Sequence, residues 1–487
     1  MKPNDPEATM PPDAARRLLG ISSATYFRWL REGKLRGVRV GRRWRFSRAA
    51  LEALLRSESG GDEEVRRGLE QAVAAWRELL RARGIRAQEI EAMAATHDVK
   101  ALARCVLEHA HRNRATAVHL EAGAAGWNVR ERIDGFLVPA GRTLPGPAAG
   151  GLVADFKALA GLDPLPSSRA AQGRFFAEIA GRRVDVRAAT FPTGLGESLT
   201  LRLLDPEWTA PRLEASGFSR ALCAAVRALV RGPRGVFVVN GPTDSGKTTT
   251  LYSLLVELRR PDLKIMTAED PVEVFLEGIQ QANVGGPDGM GFRDAVFAMM
   301  RSEVDIAMVS EIRTDDMFAG IFSVASAGRR LFTALHAADA VGALHRMIEM
   351  GKLNGSWIAD NLLGILDQRL VRVNCPDCRR RERLKADSAR LLGIVAREAF
   401  AAPGCARCRQ TGFRGRTAAG ALLTVTPALR AALESGADLA RLRAAAADQP
   451  GLRAALAEKV LAGDVAPAEA LRVLPPAEEG AAAPSSS

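Results

Sequence analysis

Residues 241–250, Gly241-Pro-Thr-Asp-Ser-Gly-Lys-Thr-Thr-Thr250, decide the fold, because they fit the phosphate-loop pattern G-x-x-x-x-G-K-[ST]. Upstream, Gly235-Val-Phe-Val-Val-Asn240 is an apolar, β-branched run of buried-strand length. Downstream, the apolar residues from Thr249 to Leu258 have helical spacing. Strand, glycine loop and helix therefore follow one another in the order that a phosphate cradle requires. Backbone N–H groups of such a loop, and the positive end of the helix, point at bound phosphates.

The loop predicts binding of ATP together with Mg²⁺. Lys247 is the point charge that neutralises the two outer phosphates, and Thr248 supplies the hydroxyl on the magnesium side. The alternative is a glycine-rich turn that carries a lysine by coincidence, and it does not explain the flanking strand and helix. The residues expected to contact the nucleotide are Gly241, Pro242, Thr243, Asp244, Ser245, Gly246, Lys247, Thr248 and Thr249.

Composition limits the class of protein. A length of 487 residues is too great for one hydrophobic core, so we expect three or more domains, and a hydrophobic content of 47% excludes wholesale disorder. No uncharged apolar run reaches the ~18 residues that a membrane span needs, and the amino end has no signal-peptide core. We therefore expect a soluble cytoplasmic protein without direct membrane insertion. Two of the cysteine spacings are C-x-x-C, which in a cytosolic chain favours metal over disulfides.

Positive charge is concentrated at the amino end. Residues 1–56 hold 13 Lys or Arg against 5 Asp or Glu, which makes this part the candidate for an anionic partner. Capping residues and glycines predict a helix over Asp13–Leu19, a second over Thr25–Arg31 and a closing helix over Arg48–Leu55. Alternation in Val38–Val40 and Arg43–Phe46 predicts a small hairpin, or wing, before the closing helix.

This amino-terminal arrangement resembles the winged helix-turn-helix of excisionase and MerR-type regulators. In that family the second helix enters the major groove and wing arginines meet phosphates. An alternative is that the same fold docks another protein, because fold does not determine function. The residues expected to contact DNA or a protein partner are Arg28, Arg42, Arg43 and Arg45.

A second resemblance covers about two-thirds of the chain. In the mixed α/β part its motifs are Ala115–Glu121, Val129–Gly135, Gly173-Arg174, Asp185–Arg187, Pro192–Glu197 and Leu201–Leu204. In the nucleotide-binding part they are the phosphate loop, Lys264–Glu273, Asp305–Arg313 and Gly328–Ala340. In this order, up to about Val425, they resemble the type II secretion and type IV pilus assembly ATPases.

The resemblance implies an α/β fold in which a RecA-like phosphate-loop core follows an α+β, PAS-like domain. The expected organisation is a winged helix-turn-helix in 1–56, a linker in 57–66, a helical lead-in with the α+β domain in 67–204, a linker in 205–217, the ATPase core in 218–374, a tetracysteine zinc subdomain in 375–417, a helical region in 418–473 and a disordered tail in 474–487.

Several charged residues fit roles in hydrolysis. Glu311 follows the buried strand Asp305–Ser310, and ligands of open α/β sheets bind at the carboxyl ends of strands. The resemblance implies that Glu311 polarises the attacking water or helps to order Mg²⁺, that Glu269, Asp270 and Glu273 face the nucleotide and metal, and that His336 reports the γ-phosphate. The alternatives are ordinary surface solvation, above all for Glu273, and a core role for the histidine.

The resemblance also implies a ring. In the family, arginines of the preceding domain reach the bound nucleotide, couple its state to the angle between domains and complete a hexameric assembly. An alternative for each is pairing with Glu131, Asp134 or Asp185. The candidate arginines are Arg132, Arg174, Arg187 and Arg202.

The chain departs from the family pattern at positions that touch the chemistry. Asp244 brings a negative charge to a loop position that is usually glycine, although aspartate tolerates a left-handed backbone better than most residues. Ser310 and Thr314 replace a glycine and an aspartate, and alanines replace hydroxyl or amide side chains around His336. We therefore expect slow turnover. The three alanines are Ala334, Ala337 and Ala338.

Four cysteines predict a structural zinc site. Cys375-Pro-Asp-Cys378 and Cys405-Ala-Arg-Cys408 form two chelating pairs with 26 residues between them, which suits tetrahedral Zn²⁺ and leaves no open coordination position.

Together these features predict a hexameric cytoplasmic ATPase that powers a type II secretion or type IV pilus-like machine. The resemblance implies an inner-membrane platform protein as partner, rather than the lipid itself. One alternative is a DNA-binding regulator gated by nucleotide through the winged module, and another is a weakly active nucleotide-binding scaffold.

Overall fold

The computed structural model describes residues 9–19, 26, 29–30, 35, 38–40, 43–82, 85–93, 98–141, 143–205, 212–285, 289–312 and 314–474. The chain divides into two compact units, Met1–Leu203 and Leu204–Ser487, where the sequence predicts its second linker. Residues 206–211 of that linker, and the predicted tail after Leu474, lie outside the described residues. Among the described residues, no helix is both long and apolar enough to cross a bilayer.

The first unit begins with a small three-stranded sheet. Strands β1 (Thr9–Met10), β3 (Arg43–Ser47) and β2 (Val38–Val40) pair in that order and antiparallel, beside helix α1 (Pro12–Leu19). The predicted first helix and wing are therefore confirmed. Most of the predicted second helix lies outside the described residues. The buried core of this part consists of Ala15, Tyr26, Leu35, Phe46 and Leu51.

The predicted linker at 57–66 is wrong, because a single helix, α2, runs from Arg48 to Ala82. Gly60 and Gly61 prompted the prediction, yet each glycine costs a helix only about 1 kcal/mol relative to alanine. Helix-forming residues on both sides outweigh that cost, since helix propagation is cooperative and continues once a nucleus exists. The closing helix of the winged part is thus continuous with the helical lead-in.

The rest of the first unit packs helices on a six-stranded sheet, as the α+β prediction requires. Helices α3 (Ala87–Met93), α4 (Val99–Arg112) and α5 (Gly146–Leu159) share one apolar core with α2, in which Trp76 and Phe156 are fully buried. The strand order is β6–β5–β4–β9–β8–β7. Their bounds are β4 Ala117–Gly123, β5 Gly126–Ile133, β6 Phe136–Pro139, β7 Gln172–Ile179, β8 Arg182–Thr193 and β9 Gly196–Leu204.

The second unit is built on a seven-stranded sheet with the order β12–β11–β13–β14–β10–β15–β18. The first six strands are parallel, and β18 is antiparallel to β15. All six residues of β10 are buried, as expected for a central parallel strand covered on both faces. The strands are β10 Gly235–Asn240, β11 Ile265–Glu269, β12 Gln280–Asn283, β13 Ile306–Val309, β14 Arg330–Leu335, β15 Leu362–Asn374 and β18 Phe413–Leu423.

Helices cover both faces of this sheet, which gives the predicted RecA-like α/β core. Two apolar cores, one on each side, take alternate residues of β10, with Val236 and Val238 in one and Phe237 and Val239 in the other. The helices are α6 Arg220–Val230, α7 Lys247–Leu258, α8 Phe292–Arg301, α9 Asp315–Ser326, α10 Ala340–Gly351 and α11 Gly355–Asn361.

The cysteine-bearing part lies between β15 and β18. It contains β16 (Arg380–Arg383) paired antiparallel with β17 (Glu398–Ala401), and helix α12 (Ala386–Leu392). Up to Leu474, where the described residues end, four helices follow β18, namely α13 Pro427–Glu434, α14 Leu439–Ala445, α15 Leu452–Leu461 and α16 Pro467–Val473.

The prediction that residues 418–473 are helical is wrong at its start, because residues 418–423 belong to β18. Alanine favours helix, but small side chains are also what this strand can accommodate. A Cβ on Gly420 would lie 2.7 Å from the Phe218 ring, and Ala419 is completely buried. Pairing along the whole of β15 therefore overrides local helix propensity.

Candidate nucleotide site

The phosphate loop joins the carboxyl end of β10 to the amino end of α7, in the predicted order. Its backbone has positive φ at Gly241 (155°), Asp244 (62°) and Gly246 (87°). A Cβ on Gly241 would lie 2.5 Å from both the Gln368 carbonyl oxygen and the Ser245 Oγ, so only glycine fits there. Ser245 is buried, and its Oγ has no hydrogen-bond partner among the described residues.

The side chain of Lys247 folds back over this loop and is only 9% exposed. Its Nζ donates to the carbonyl oxygens of Gly241 at 2.9 Å and Pro242 at 2.8 Å, and it lies 3.3 Å from His336 Nδ1. Burial lowers the pKa of Lys247 to about 8, although the carboxylates of Glu311 and Asp244 oppose this shift. A buried ammonium that is held by neutral acceptors becomes more stable when an anion replaces those acceptors.

His336 connects Lys247 to Glu311. Its Nε2 lies 3.0 Å from Glu311 Oε1, while Nδ1 faces Lys247. Burial, reinforced by the Lys247 charge, lowers the pKa of His336 below its ordinary 6.5, so the imidazole is neutral at pH 7. With Nδ1 accepting from the ammonium, the Nε2–H of the neutral ring donates to the carboxylate.

Strand order explains why these three groups meet. Lys247 follows β10, His336 follows β14, and Glu311 lies two residues after β13. These three strands are neighbours and parallel, so their carboxyl ends share one edge of the sheet. The sequence prediction that Lys247, His336 and Glu311 belong to one site agrees with this geometry.

Glu269 is held by neighbouring side chains, and its predicted role facing the nucleotide and metal stays a prediction. Its buried carboxylate accepts hydrogen bonds from the hydroxyl of Tyr252, from Thr267 Oγ1 at 2.6 Å and from Gln281 Nε2 at 3.0 Å. Burial also raises its pKa. Glu269 ends β11, which pairs with β13, the strand that Glu311 follows, and which lies three strand spacings, roughly 14 Å, from β10.

Tyr252, in α7, links the helix that follows the phosphate loop to the segment Glu269–Glu273, which carries the predicted acidic residues. Besides its bond to Glu269, the Tyr252 hydroxyl accepts the backbone N–H of Glu273 at 3.1 Å. Asp270 is exposed and Glu273 half-buried, so both carboxylates are accessible from solvent. Their roles at the nucleotide stay a prediction.

Sequence reasoning missed a polar segment of β15 that lies against the loop. Asp367, Gln368 and Arg369 are all buried, at 3%, 1% and 5% exposure. Gln368 Nε2 donates to the Ser245 carbonyl at 2.7 Å, and its Oε1 accepts from Thr250 Oγ1 at 2.8 Å. The available signal was three consecutive polar residues inside an apolar strand run, which is costly unless each finds a partner.

The candidate arginines belong to the first unit. Arg174 makes a two-pronged ion pair with Asp185, which is the alternative that the sequence left open for it, and Arg132 Nη1 donates to the Gly135 carbonyl at 3.1 Å. Arg187 lies in β8 and Arg202 in β9. Contact of any of the four with nucleotide stays a prediction.

The four predicted cysteines do come together. Cys375 Sγ lies 4.0 Å from Cys405 Sγ, Cys378 Sγ lies 3.9 Å from Cys408 Sγ, and all four sulfurs are within 4.8 Å of one another. Tetrahedral zinc with Zn–S bonds of about 2.3 Å needs sulfurs about 3.8 Å apart. The donor set and its spacing therefore fit one zinc ion.

The wing residues are described only in part. Arg28 and Arg42 lie outside the described residues, whereas Arg43 and Arg45 lie in β3. Between the last two, Trp44 is 38% exposed and stacks on Phe46 at a ring separation of 6.3 Å.

Two protein families match the chain. The family described as "Type II/IV secretion system protein" matches residues 93–472, and the family described as "Helix-turn-helix domain" matches residues 11–59. The second match supports the predicted amino-terminal module, and the first covers both the α+β part and the nucleotide site.

Relatives and solved structures agree with the first match. The chain is 36% identical over 377 residues to the type II secretion system protein E of Klebsiella pneumoniae, covering 76% of this chain and 75% of that protein. It is 34% identical over 387 residues to the type IV pilus assembly ATPase TfpB of Acinetobacter baylyi, covering 78% and 66%. The ATPase DotB of Legionella pneumophila has the same fold, with a TM-score of 0.56 at 18% identity over 76% of this chain and 94% of that one.

Proposed function

Because the chain belongs to the Type II/IV secretion system protein family, we propose that it is a hexameric ATP-hydrolysing motor of a type II secretion or type IV pilus-like assembly system. The observation that carries this proposal is the meeting of Lys247, His336 and Glu311 beside a phosphate loop. A cation, an imidazole and a carboxylate in contact at that place suit a site that binds and hydrolyses the terminal phosphate.

In the proposed reaction the loop first binds the phosphates of ATP. Backbone amides of residues 241–247 and the amino end of α7 receive the phosphates, and the Lys247 ammonium exchanges the Gly241 and Pro242 carbonyls for phosphate oxygens. Mg²⁺ bound with ATP supplies charge neutralisation, and Thr248 is its candidate hydroxyl ligand.

Glu311 is the group that we propose orients the attacking water and accepts its proton. The Nε2–H of His336 holds the carboxylate in place, while Nδ1 senses whether the ammonium of Lys247 faces phosphate. Asp270 and Glu273 are the further carboxylates that would help to hold Mg²⁺, and Glu269 fixes their segment through Tyr252, whose hydroxyl also accepts the Glu273 N–H. Because Asp244 adds a negative charge to the loop, we expect turnover to be slow.

Coupling to work is proposed to run through the first unit. Arg132, Arg174, Arg187 and Arg202 are the candidates that complete the site in a hexamer and report the nucleotide state, a role for which guanidinium groups suit phosphoryl charge. The partner is then an inner-membrane secretion or pilus component, and the motor is cytoplasmic and held at the membrane by that protein. The four cysteines hold a structural zinc ion in the proposed assembly.

The test is phosphate release from the purified full-length chain with ATP and Mg²⁺. We expect Lys247→Ala to abolish nucleotide binding, and Glu311→Gln to keep nucleotide affinity within about threefold while lowering kcat about 100-fold or more. Stimulation by a membrane component would identify the motor role. If the wild type binds ATP but releases no phosphate above the Lys247→Ala variant, the chain is a nucleotide-binding scaffold.

A second function is favoured by the helix-turn-helix match at residues 11–59 together with the positive charge of residues 1–56. We propose that this module binds an anionic partner, with duplex DNA as the first candidate. Binding of a labelled duplex to the full chain should weaken steeply between 50 and 200 mM salt, and Arg43→Ala with Arg45→Ala should flatten that dependence. If salt has no effect on the binding, the module is a protein-docking unit.

A further inference from the structure

A buried polar cluster joins the end of β10 to β15 beside the nucleotide site. Asp367 Oδ1 accepts from Asn240 Nδ2 at 2.9 Å and from Arg369 Nη1 at 2.8 Å. Asn240 is completely buried, and Asp367 and Arg369 are 3% and 5% exposed. An ion pair this deep costs desolvation energy, so its retention calls for a reason other than stability.

The cluster holds the backbone that follows His336. Asn240 Oδ1 accepts the Ala337 N–H at 2.9 Å, and Asn240 Nδ2 donates to the Ala337 carbonyl at 3.3 Å. Arg369 Nη2 donates to the Ala338 carbonyl. Because Ala337 and Ala338 carry only methyl groups, their own side chains make no hydrogen bonds, and this backbone is fixed by groups from other strands.

We propose that Asn240, Asp367 and Arg369 act as a positioning triad that sets His336 between Lys247 and Glu311. Asp367 binds both partners through one oxygen and so fixes the two side chains relative to each other. Those side chains fix residues 337 and 338, and a third bond, from Arg346 Nη1 to the His336 carbonyl, completes the restraint. The triad thus holds, through backbone bonds, a segment whose own alanine side chains make none.

The side chains of the triad bond to one another, to the Gln368 carbonyl and to the backbone of residues 337 and 338, and none of these bonds goes to the phosphate loop itself. Gln368, although adjacent in sequence, faces Ser245 and Thr250, whereas Asp367 and Arg369 face the His336 segment. Alternation along a strand places neighbours on opposite sides and produces this division. Loss of the triad should therefore disturb hydrolysis without disturbing nucleotide binding.

The test is Asn240→Ala in the full-length chain, because this change leaves Asp367 and Arg369 paired with each other. We expect kcat to fall about 10- to 100-fold, as for a displaced catalytic group, with nucleotide affinity within about threefold. Asp367→Asn keeps an acceptor oxygen but leaves the buried Arg369 charge without its counter-ion, so we expect a loss in kcat at least as large as that of Asn240→Ala, together with a lower Tm. Asn374→Ala is the matched control, since Asn374 is equally buried but bonds to the carbonyls of Phe400 and Gly463.

A second readout does not depend on hydrolysis. The chain has six histidines, so ¹³C-histidine labelling resolves the His336 ring, assigned through His336→Asn. We expect Asn240→Ala to shift and broaden the His336 resonance, and Asn374→Ala to leave it unchanged. The kinetic arm rests on the proposed function, whereas the spectral arm does not. A wild type without hydrolysis would reject the function alone, and an unchanged His336 resonance in Asn240→Ala would overturn the triad.

Discussion

Burial of the Lys247 ammonium predicts that nucleotide affinity falls steeply above pH 8. In the nucleotide-free protein, burial lowers the pKa of Lys247 to about 8 from an ordinary value of 10.5. Bound phosphates favour the charged form and so raise that pKa again. The sign follows from linkage. With respect to Lys247, affinity is nearly constant well below pH 8, where the free protein already carries the proton, and it is lost as the pH rises through 8 because binding must then take up a proton.

The size of the effect follows from the position of that pKa. One group with a pKa of 8 raises the apparent Kd about 25-fold between pH 7.5 and 9.5, or about 1.9 kcal/mol, whereas a lysine with an ordinary pKa raises it only about 10%. His336 contributes nothing in this range, because its lowered pKa keeps it neutral throughout. The terminal phosphate, with a second pKa near 6, is already ionised at about pH 7.5.

The assay is equilibrium binding of a fluorescent ATP analogue with Mg²⁺ to the full-length chain at half-unit pH steps. Lys247→Arg is the control, because a guanidinium with a pKa above about 12 keeps its charge, so its affinity should be lower but independent of pH. A wild-type Kd that stays flat to pH 9.5 would refute the buried ammonium. The same rise in Lys247→Arg would assign the effect to another group.

Three further outcomes are expected. Asp244→Gly removes a negative charge from the loop and places glycine at a φ of 62° that it adopts without steric cost, whereas Asp244→Asn removes only the charge. Each should tighten ATP binding by about fivefold, from about 1 kcal/mol of relieved repulsion, measured by the same titration. Gly241→Ala places a Cβ 2.5 Å from the Gln368 oxygen and should abolish nucleotide binding and cost about 2 kcal/mol of stability in a denaturant titration, while Gly436→Ala, with open space at its Cβ, should bind normally. Metal analysis should find about one zinc per chain, and Cys408→Ser or a strong chelator should remove it and lower Tm.

Each of these has an opposing result. Unchanged affinity in both Asp244 variants would mean that the carboxylate points away from the phosphates. Nucleotide binding by Gly241→Ala would mean that the loop does not need its observed backbone. A metal-free chain that keeps its Tm under chelator would reject the zinc site.

The nucleotide site was predictable where its signal is local in the chain. Segments of about ten residues each were enough to predict the loop, its flanking strand and helix, and the strand-end position of Glu311. The structure confirms those elements. Glu269 shows the limit of local patterns. Its strand ends in carboxylates, but the distance to the loop depends on which strands lie between, and sequence alone does not give the order of a sheet.

Two errors in the predicted fold have their origin in tertiary structure. Gly60 and Gly61 are local break signals that lie inside a longer helix, and the alanines of residues 418–423 are local helix signals in a strand that must pack closely. Asp367 and Asn240 belong to no sequence motif, and their role could not be predicted because it depends on a contact between two strands that are far apart in the chain. Buried polar residues inside an apolar strand are the pattern that points to such contacts.

The unbroken helix from Arg48 to Ala82 fixes the orientation of the amino-terminal module about the helix axis. A flexible linker would let the module rotate freely. A helix of 35 residues instead extends over roughly 52 Å and turns by about 100° per residue, so its two ends keep a fixed angle to each other. One alanine inserted within residues 57–66 would swing the module through about 100°, and seven would return it to within about 20° of its starting direction. The helix therefore sets the direction that the module faces, and a bound partner would be held at a defined angle.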